Sequence, residues 1–221
     1  MGQRFQSAFI LPKIYMNENN PNNRNKKVIV FHNQWLYGYS ALNINLSIIK
    51  RLKEYIINIK GIFNEPKKDF INHHLEKCLF NSVNYSILKE LDLKSEFHET
   101  DNFEFKGFND LGLRLSKQDN NNGFFICEIT EDLKFKYCFI SGFEDEDIIK
   151  PKTPKEYLNL FYSDETIKKE FDKKLIKSIK KYIKSFSKIN MFLIKDIREV
   201  VNGLNNNKPI WAKGYKAVLE S

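Results

Sequence analysis

Short runs rich in β-branched and aromatic residues occur near the N-terminus and again near position 130, and each is followed by a long stretch with helical periodicity. This pattern predicts an α+β protein: an antiparallel or mixed sheet of two hairpins packed with about six helices. The order of strands, helices, strands, helices lacks the regular strand–helix alternation that builds a parallel sheet. A hydrophobic fraction of 42%, with 19 Phe and 10 Tyr in 221 residues, is enough apolar surface for a sizeable core and excludes a disordered chain.

The first hairpin is read from residues 4–11 and 27–36, with the Asn-rich stretch from Met16 to Asn25 as its connection. Ser40 then offers an N-cap, and Leu42, Leu46, Ile49, Leu52, Ile56 and Ile59 recur at helical spacing until Gly61 supplies a stop. Pro66 opens a second helix with Phe70, Ile71, His74, Leu75 and Cys78 on one face, and a third short helix is expected over 83–91. Between Thr100 and Asn122 the glycines dissolve the pattern, and no element is assigned beyond a short helix or strand between Gly107 and Gly112.

The runs 124–130 and 134–141 form the second hairpin, joined by Glu131-Asp132-Leu133. Thr153-Pro154-Lys155-Glu156 is a capping box with Pro at the first helical position. Ser163 to Thr166 opens what reads as the longest helix, with Ile167, Phe171, Leu175, Ile179, Ile183 and Phe186 as one apolar stripe. A last helix is expected from Met191 to Asn202, stopped by Gly203, with Trp211 and Tyr215 in the tail.

Charge divides the chain. Residues 150–221 hold 17 Lys and Arg against 8 Asp and Glu, whereas residues 1–149 hold 19 against 20. The expected organisation is a core over 1–149 and a basic helical part over 150–221 packed on that same core, in one domain. Lys168, Lys173, Lys177, Lys180, Lys181 and Lys184 form the polar face of the expected long helix and are candidates for nucleic-acid contact. Only five of the 36 basic residues are Arg, and Asn, Ile and Lys are abundant throughout, as AT-rich coding would produce.

Cys78, Cys127 and Cys138 are odd in number and lie in apolar runs, which points to packed thiols and a cytoplasmic setting. No segment approaches the roughly 18 uninterrupted apolar residues of a membrane span, and no export signal or membrane partner is expected. No phosphate-binding glycine loop, nucleophile elbow or metalloprotease helix is present in the sequence. No cofactor is expected. No metal is expected either: His73 and His74 are adjacent on a helix, and His98 has no His or Cys at ligand spacing. The acidic run Glu144-Asp145-Glu146-Asp147 reads as a solvated turn.

The densest polar and aromatic segment is His32 to Tyr39, at the end of the second strand. Strand alternation places His32 with Gln34 and Arg4 with Gln6, so a suitable register would gather Arg4, Gln6, His32 and Gln34, with Trp35 and Tyr37 beside them, into one cluster. The catalytic residues of any such site are not identified by the sequence. The opening Met1-Gly2-Gln3-Arg4, a strand, and then His32-x-Gln34-Trp35-x-Tyr37-Gly38 resemble a group of uncharacterised small proteins of bacteriophages and related mobile elements. The resemblance covers about the first 40 residues and brings no activity with it.

Three functions are expected, in this order: an accessory protein of a phage or mobile element that binds another macromolecule, such as a host or defence factor; a nucleic-acid-binding protein using the lysine-rich helix; or a small hydrolase or transferase with His32 as base and Arg4 as anion anchor. An N-terminal-nucleophile mechanism would need Ser7 freed as the first residue.

Overall fold

A computed structural model describes residues 5–12, 26–33, 36–62, 68–90, 97–105, 107–117, 123–140, 151–192 and 194–206. The strands are β1 (Phe5–Leu11), β2 (Lys26–Asn33), β3 (Phe97–Phe105), β4 (Phe124–Ile129), β5 (Phe135–Ile140), β6 (Pro151–Lys152) and β7 (Asn190–Met191). The helices are α1 (Gly38–Ile62), α2 (Lys68–Glu90), α3 (Phe108–Leu115), α4 (Pro154–Asn159), α5 (Asp164–Glu170), α6 (Lys173–Phe186) and α7 (Ile194–Asn206). The protein is α+β.

The two expected hairpins are present, β1 with β2 and β4 with β5, and they join through a parallel pairing of β1 with β4. The sheet is therefore mixed, in the order β3-β2-β1-β4-β5-β6. It is larger than two hairpins: β3 extends one edge, where no strand is expected from local pattern, and β6 and β7 share the outer edge of β5. Edge strands present unpaired backbone groups, and two-residue strands cap that edge without lengthening it.

Alternation along each strand divides the core in two. Phe9, Phe31, Phe125 and Tyr137 point to the face covered by α1, α2, α4 and α6, whereas Ala8, Val30, Ile126 and Cys138 point to the face covered by α3 and α7. On the first face Phe186 of α6 packs against the rings of Phe125, Tyr137 and Phe139, so α6 shares the core of β4 and β5.

Several polar groups in this interior are partnered. Ser7 donates to Asn45 Oδ1 at 2.8 Å, and Asn45 Nδ2 donates to the Ala41 carbonyl at 2.9 Å. Ser7 thus lies buried in mid-strand, an anchor between β1 and α1. On the opposite face the carboxylate of Glu128, 3% exposed as a residue, is held by Lys26 across β1 and faces Lys136 at 3.9 Å from the neighbouring strand.

The helix boundaries differ from expectation in several places. α1 begins at Gly38, two residues before the expected cap, and runs through Gly61. The second and third expected helices are one, α2, because Leu75, Leu79, Ser82, Val83 and Ser86 form an unbroken buried stripe. Ser86 donates to Ser47 near the start of α1, and the Arg51 guanidinium lies over the Tyr85 ring, so α1 and α2 run antiparallel.

The expected longest helix is instead two. Phe171 (φ −97°, ψ 139°) and Asp172 (φ −68°, ψ 161°) are extended; the Phe171 ring turns onto Tyr39 and Tyr162, and Asp172 caps α6 by accepting from Leu175 N–H at 2.7 Å. α7 starts three residues later than expected and continues past Gly203, which meets α3 instead of ending the helix. The Thr153–Glu156 capping box forms as expected, and Ser163 caps α5 by accepting from Thr166 N–H. Among the described residues no helix is long and apolar enough to cross a membrane.

Candidate functional site

The β1–β2 register sets Gln6 directly opposite His32, and His32 opposite His98 of β3. Strand alternation puts Gln6 and His32 on the face shared by Ala8, Val28 and Val30, with Gln6 buried and His32 half-buried.

Tyr37 is drawn elsewhere. Its ring packs on Phe161 at 5.6 Å, within an aromatic group that includes Tyr39, Tyr157, Tyr162 and Phe171. Gly38 makes that packing possible: its φ is +53°, and a β-carbon there would meet the Tyr162 ring at 2.5 Å. Burial pushes the Tyr157 phenol well above its ordinary range, against the opposing effect of a hydrogen bond from the Gly38 backbone. Arg4, Gln34 and Trp35 lie outside the described residues, as do the acidic run 144–147, Trp211 and Tyr215.

Burial raises all three thiol pKa values, so Cys78, Cys127 and Cys138 are held protonated as packing groups. Among the described residues no three or more His, Cys, Asp or Glu side chains gather in a way that could hold a metal ion.

The second candidate is the C-terminal helical face. Lys173, Lys177, Lys180, Lys181 and Lys184 are exposed on α6, and Lys168 is exposed on α5. At 100° per residue the five on α6 fall within an arc of about 100° and span about 16 Å along the axis. No recorded ion pair among the described residues uses any of these six. Their ammonium groups meet solvent, while Ile179 and Phe186 on the opposite side are buried in the core.

Beside this face the break at Phe171–Asp172 opens a groove of about 510 Å³ between α4, α5 and α6. Its lining is apolar, from Leu158, Ile167, Ile176, Ile179 and Ile183, and its rim carries Lys155, Lys180 and Lys184 with one acid, Asp164. Sequence reasoning missed the groove because it read α5 and α6 as continuous. The available signal was Asp172, an N-cap residue placed before Lys173-Lys174-Leu175.

The fold and these surfaces define an α+β protein with a three-layer arrangement of helices around a mixed sheet, bearing a basic, partly apolar face. Compared with protein-family models, with curated proteins and with solved structures, the chain matches none.

Proposed function

We propose that the protein acts by binding another macromolecule, and that its partner is a protein presenting an acidic amphipathic helix to the groove between α4, α5 and α6. One observation carries this reading: an apolar trough of about 510 Å³ rimmed by Lys155, Lys180 and Lys184. A helix laid in such a groove buries its apolar side chains at i, i+3 and i+4 spacing, and its flanking carboxylates meet the rim. The apolar floor supplies affinity, whereas the lysines steer the encounter and fix the register. The N-terminal motif supports the setting, an accessory protein of a phage or mobile element acting on a host or defence factor.

A second reading, contact with nucleic acid, is favoured by the α6 stripe itself. Five lysines along one face could follow a phosphate backbone, and neutralising five phosphates gives a log–log salt slope of about −4.5. The apolar groove has no part in that contact.

Fluorescence anisotropy with two labelled probes separates the readings: a helical peptide with Leu and Glu on adjacent faces, and a duplex oligonucleotide. The protein reading expects peptide binding that is lost in Ile176→Glu and weakened in Lys180→Glu. The nucleic-acid reading expects duplex binding indifferent to Ile176→Glu but abolished in Lys173→Glu/Lys177→Glu/Lys181→Glu. Failure to bind either probe at low salt would sink both.

A further inference from the structure

A different cleft, at the far end of α6, gathers three lysines that are distant in sequence. Lys53 comes from α1, Lys134 from the turn between β4 and β5, and Lys188 from the residues following α6. Together with Ile57, Phe135 and Asn190 they line a cavity of about 390 Å³. That volume falls in the range of small-molecule sites, about 300–1,000 Å³.

Charge in this cleft is unbalanced. Lys134 is paired with Asp132 at 2.7 Å, and no ion pair is recorded among the described residues for Lys53 or Lys188. Lys53 lies over the Phe135 ring, its Nζ 5.3 Å from the centroid, and burial lowers its pKa. Desolvating a cation without a counter-charge is unfavourable, and an anion bound beside it removes that cost. Two ammonium groups left over after Asp132 match a dianion.

Apart from Asn190, the rest of the lining is apolar. Ile57 is 67% exposed, the highest value among the exposed large hydrophobic residues of the described chain, and lines this cleft, whereas Phe135 is itself buried beneath Lys53, so Ile57 is the surface that a ligand with an apolar body would cover.

We propose that the cleft formed by Lys53, Lys134, Lys188, Ile57 and Phe135 is a binding site for a phosphate monoester carrying an aromatic body. The phosphate, bearing a charge of about −1.5 to −2 at neutral pH, sits between Lys53 and Lys188, and Asn190 can donate to one of its oxygens. The aromatic body lies over Ile57, at the edge of the buried Phe135. The site shares no lining residue with the α4–α5–α6 groove, so it stands or falls independently of that reading.

Isothermal titration calorimetry with phenyl phosphate, phenol and inorganic phosphate tests the proposal on the full chain. Phenyl phosphate should bind at least about ten-fold tighter than either fragment, and Lys53→Met and Lys188→Met should each weaken it by about ten-fold, the scale of one lost charge-assisted contact. Lys155→Met, in the other groove, should leave it unchanged. Lys188 is exposed, so its replacement preserves the fold even if that of Lys53 does not.

Phenyl phosphate binding no tighter than phenol, or unaltered in both variants, overturns the assignment. Two further arms locate the source of the phosphate. A preference for a 5′-phosphorylated over a 5′-hydroxyl oligonucleotide, lost in Lys188→Met, assigns it to a nucleic-acid end. Displacement of phenyl phosphate by adenosine monophosphate without such a preference assigns it to a free nucleotide.

Discussion

Gly112 of α3 and Gly203 of α7 touch backbone to backbone where the two helices cross. A β-carbon on Gly112 would lie 3.0 Å from the Gly203 α-carbon and 2.1 Å from the Val200 carbonyl oxygen, and one on Gly203 would lie 2.2 Å from the Asn109 carbonyl oxygen. The close approach seats Leu111, Leu115, Val200 and Leu204 on the outer face of the sheet. Gly203 costs α7 some helix propensity, and the contact offsets it.

Gly112→Ala and Gly203→Ala should each destabilise the protein by about 2–3 kcal/mol, as overpacking does when the clash is with backbone. Urea denaturation followed by far-ultraviolet circular dichroism measures this. A loss below about 0.5 kcal/mol, the range of an inconsequential surface change, would mean that the helices do not meet at these residues.

Glu128 is the only carboxylate among the buried residues described. Replacing it with Leu leaves Lys26 and Lys136 facing each other's charge over an apolar floor. The expected cost is about 2–3 kcal/mol, below the value for a fully buried pair because both lysines keep solvent contact. Adding Lys26→Met to Glu128→Leu should recover part of that loss, and a double variant no more stable than the single would contradict the pairing.

Alkaline lability should follow from the aromatic layer. Burial pushes the phenols of Tyr137 and Tyr162 up to about 12 from an ordinary 10.0. Their contribution is fully present below pH 10, where the unfolded chain is also protonated. As pH rises from 10 to about 12 the unfolded chain ionises first, and stability falls. The denaturation midpoint should therefore be flat between pH 8 and 9.5 and decline above 10, less steeply in Tyr162→Phe. An identical decline in that variant would remove Tyr162 from the account.

The break between α5 and α6 depends on a single cap. Asp172→Ala should cost about 1 kcal/mol and loosen the wall of the α4–α5–α6 groove, lowering affinity for the acidic peptide. Asp172→Asn, which can still accept from Leu175 N–H, should retain both stability and binding. Equal behaviour of the two variants would show that the cap does not shape the groove.

Much of the fold is legible in local pattern. The strands β1, β2, β4 and β5 are short, aromatic and bounded by polar turns, and the caps at Thr153 and Ser163 are set by three-residue spacings within the helix. The strand β3 is less visible because Glu99, Asp101 and Glu104 interrupt its apolar residues, and edge strands tolerate such charges. Of the candidate polar cluster, the Gln6–His32 pairing follows from register, but Tyr37 leaves it for Phe161, a residue 124 positions away.

By itself the sequence determined the α+β class, the two hairpins and the lysine face of α6, because alternation, periodicity and capping act between residues a few positions apart. Only the tertiary structure decided that β1 and β4 pair in parallel, that Gly203 joins two helices instead of ending one, and that Lys53, Lys134 and Lys188 surround one cleft. Those relationships arise from burying two faces of one sheet at once. That requirement couples residues across the whole chain and leaves no trace in any short stretch of it.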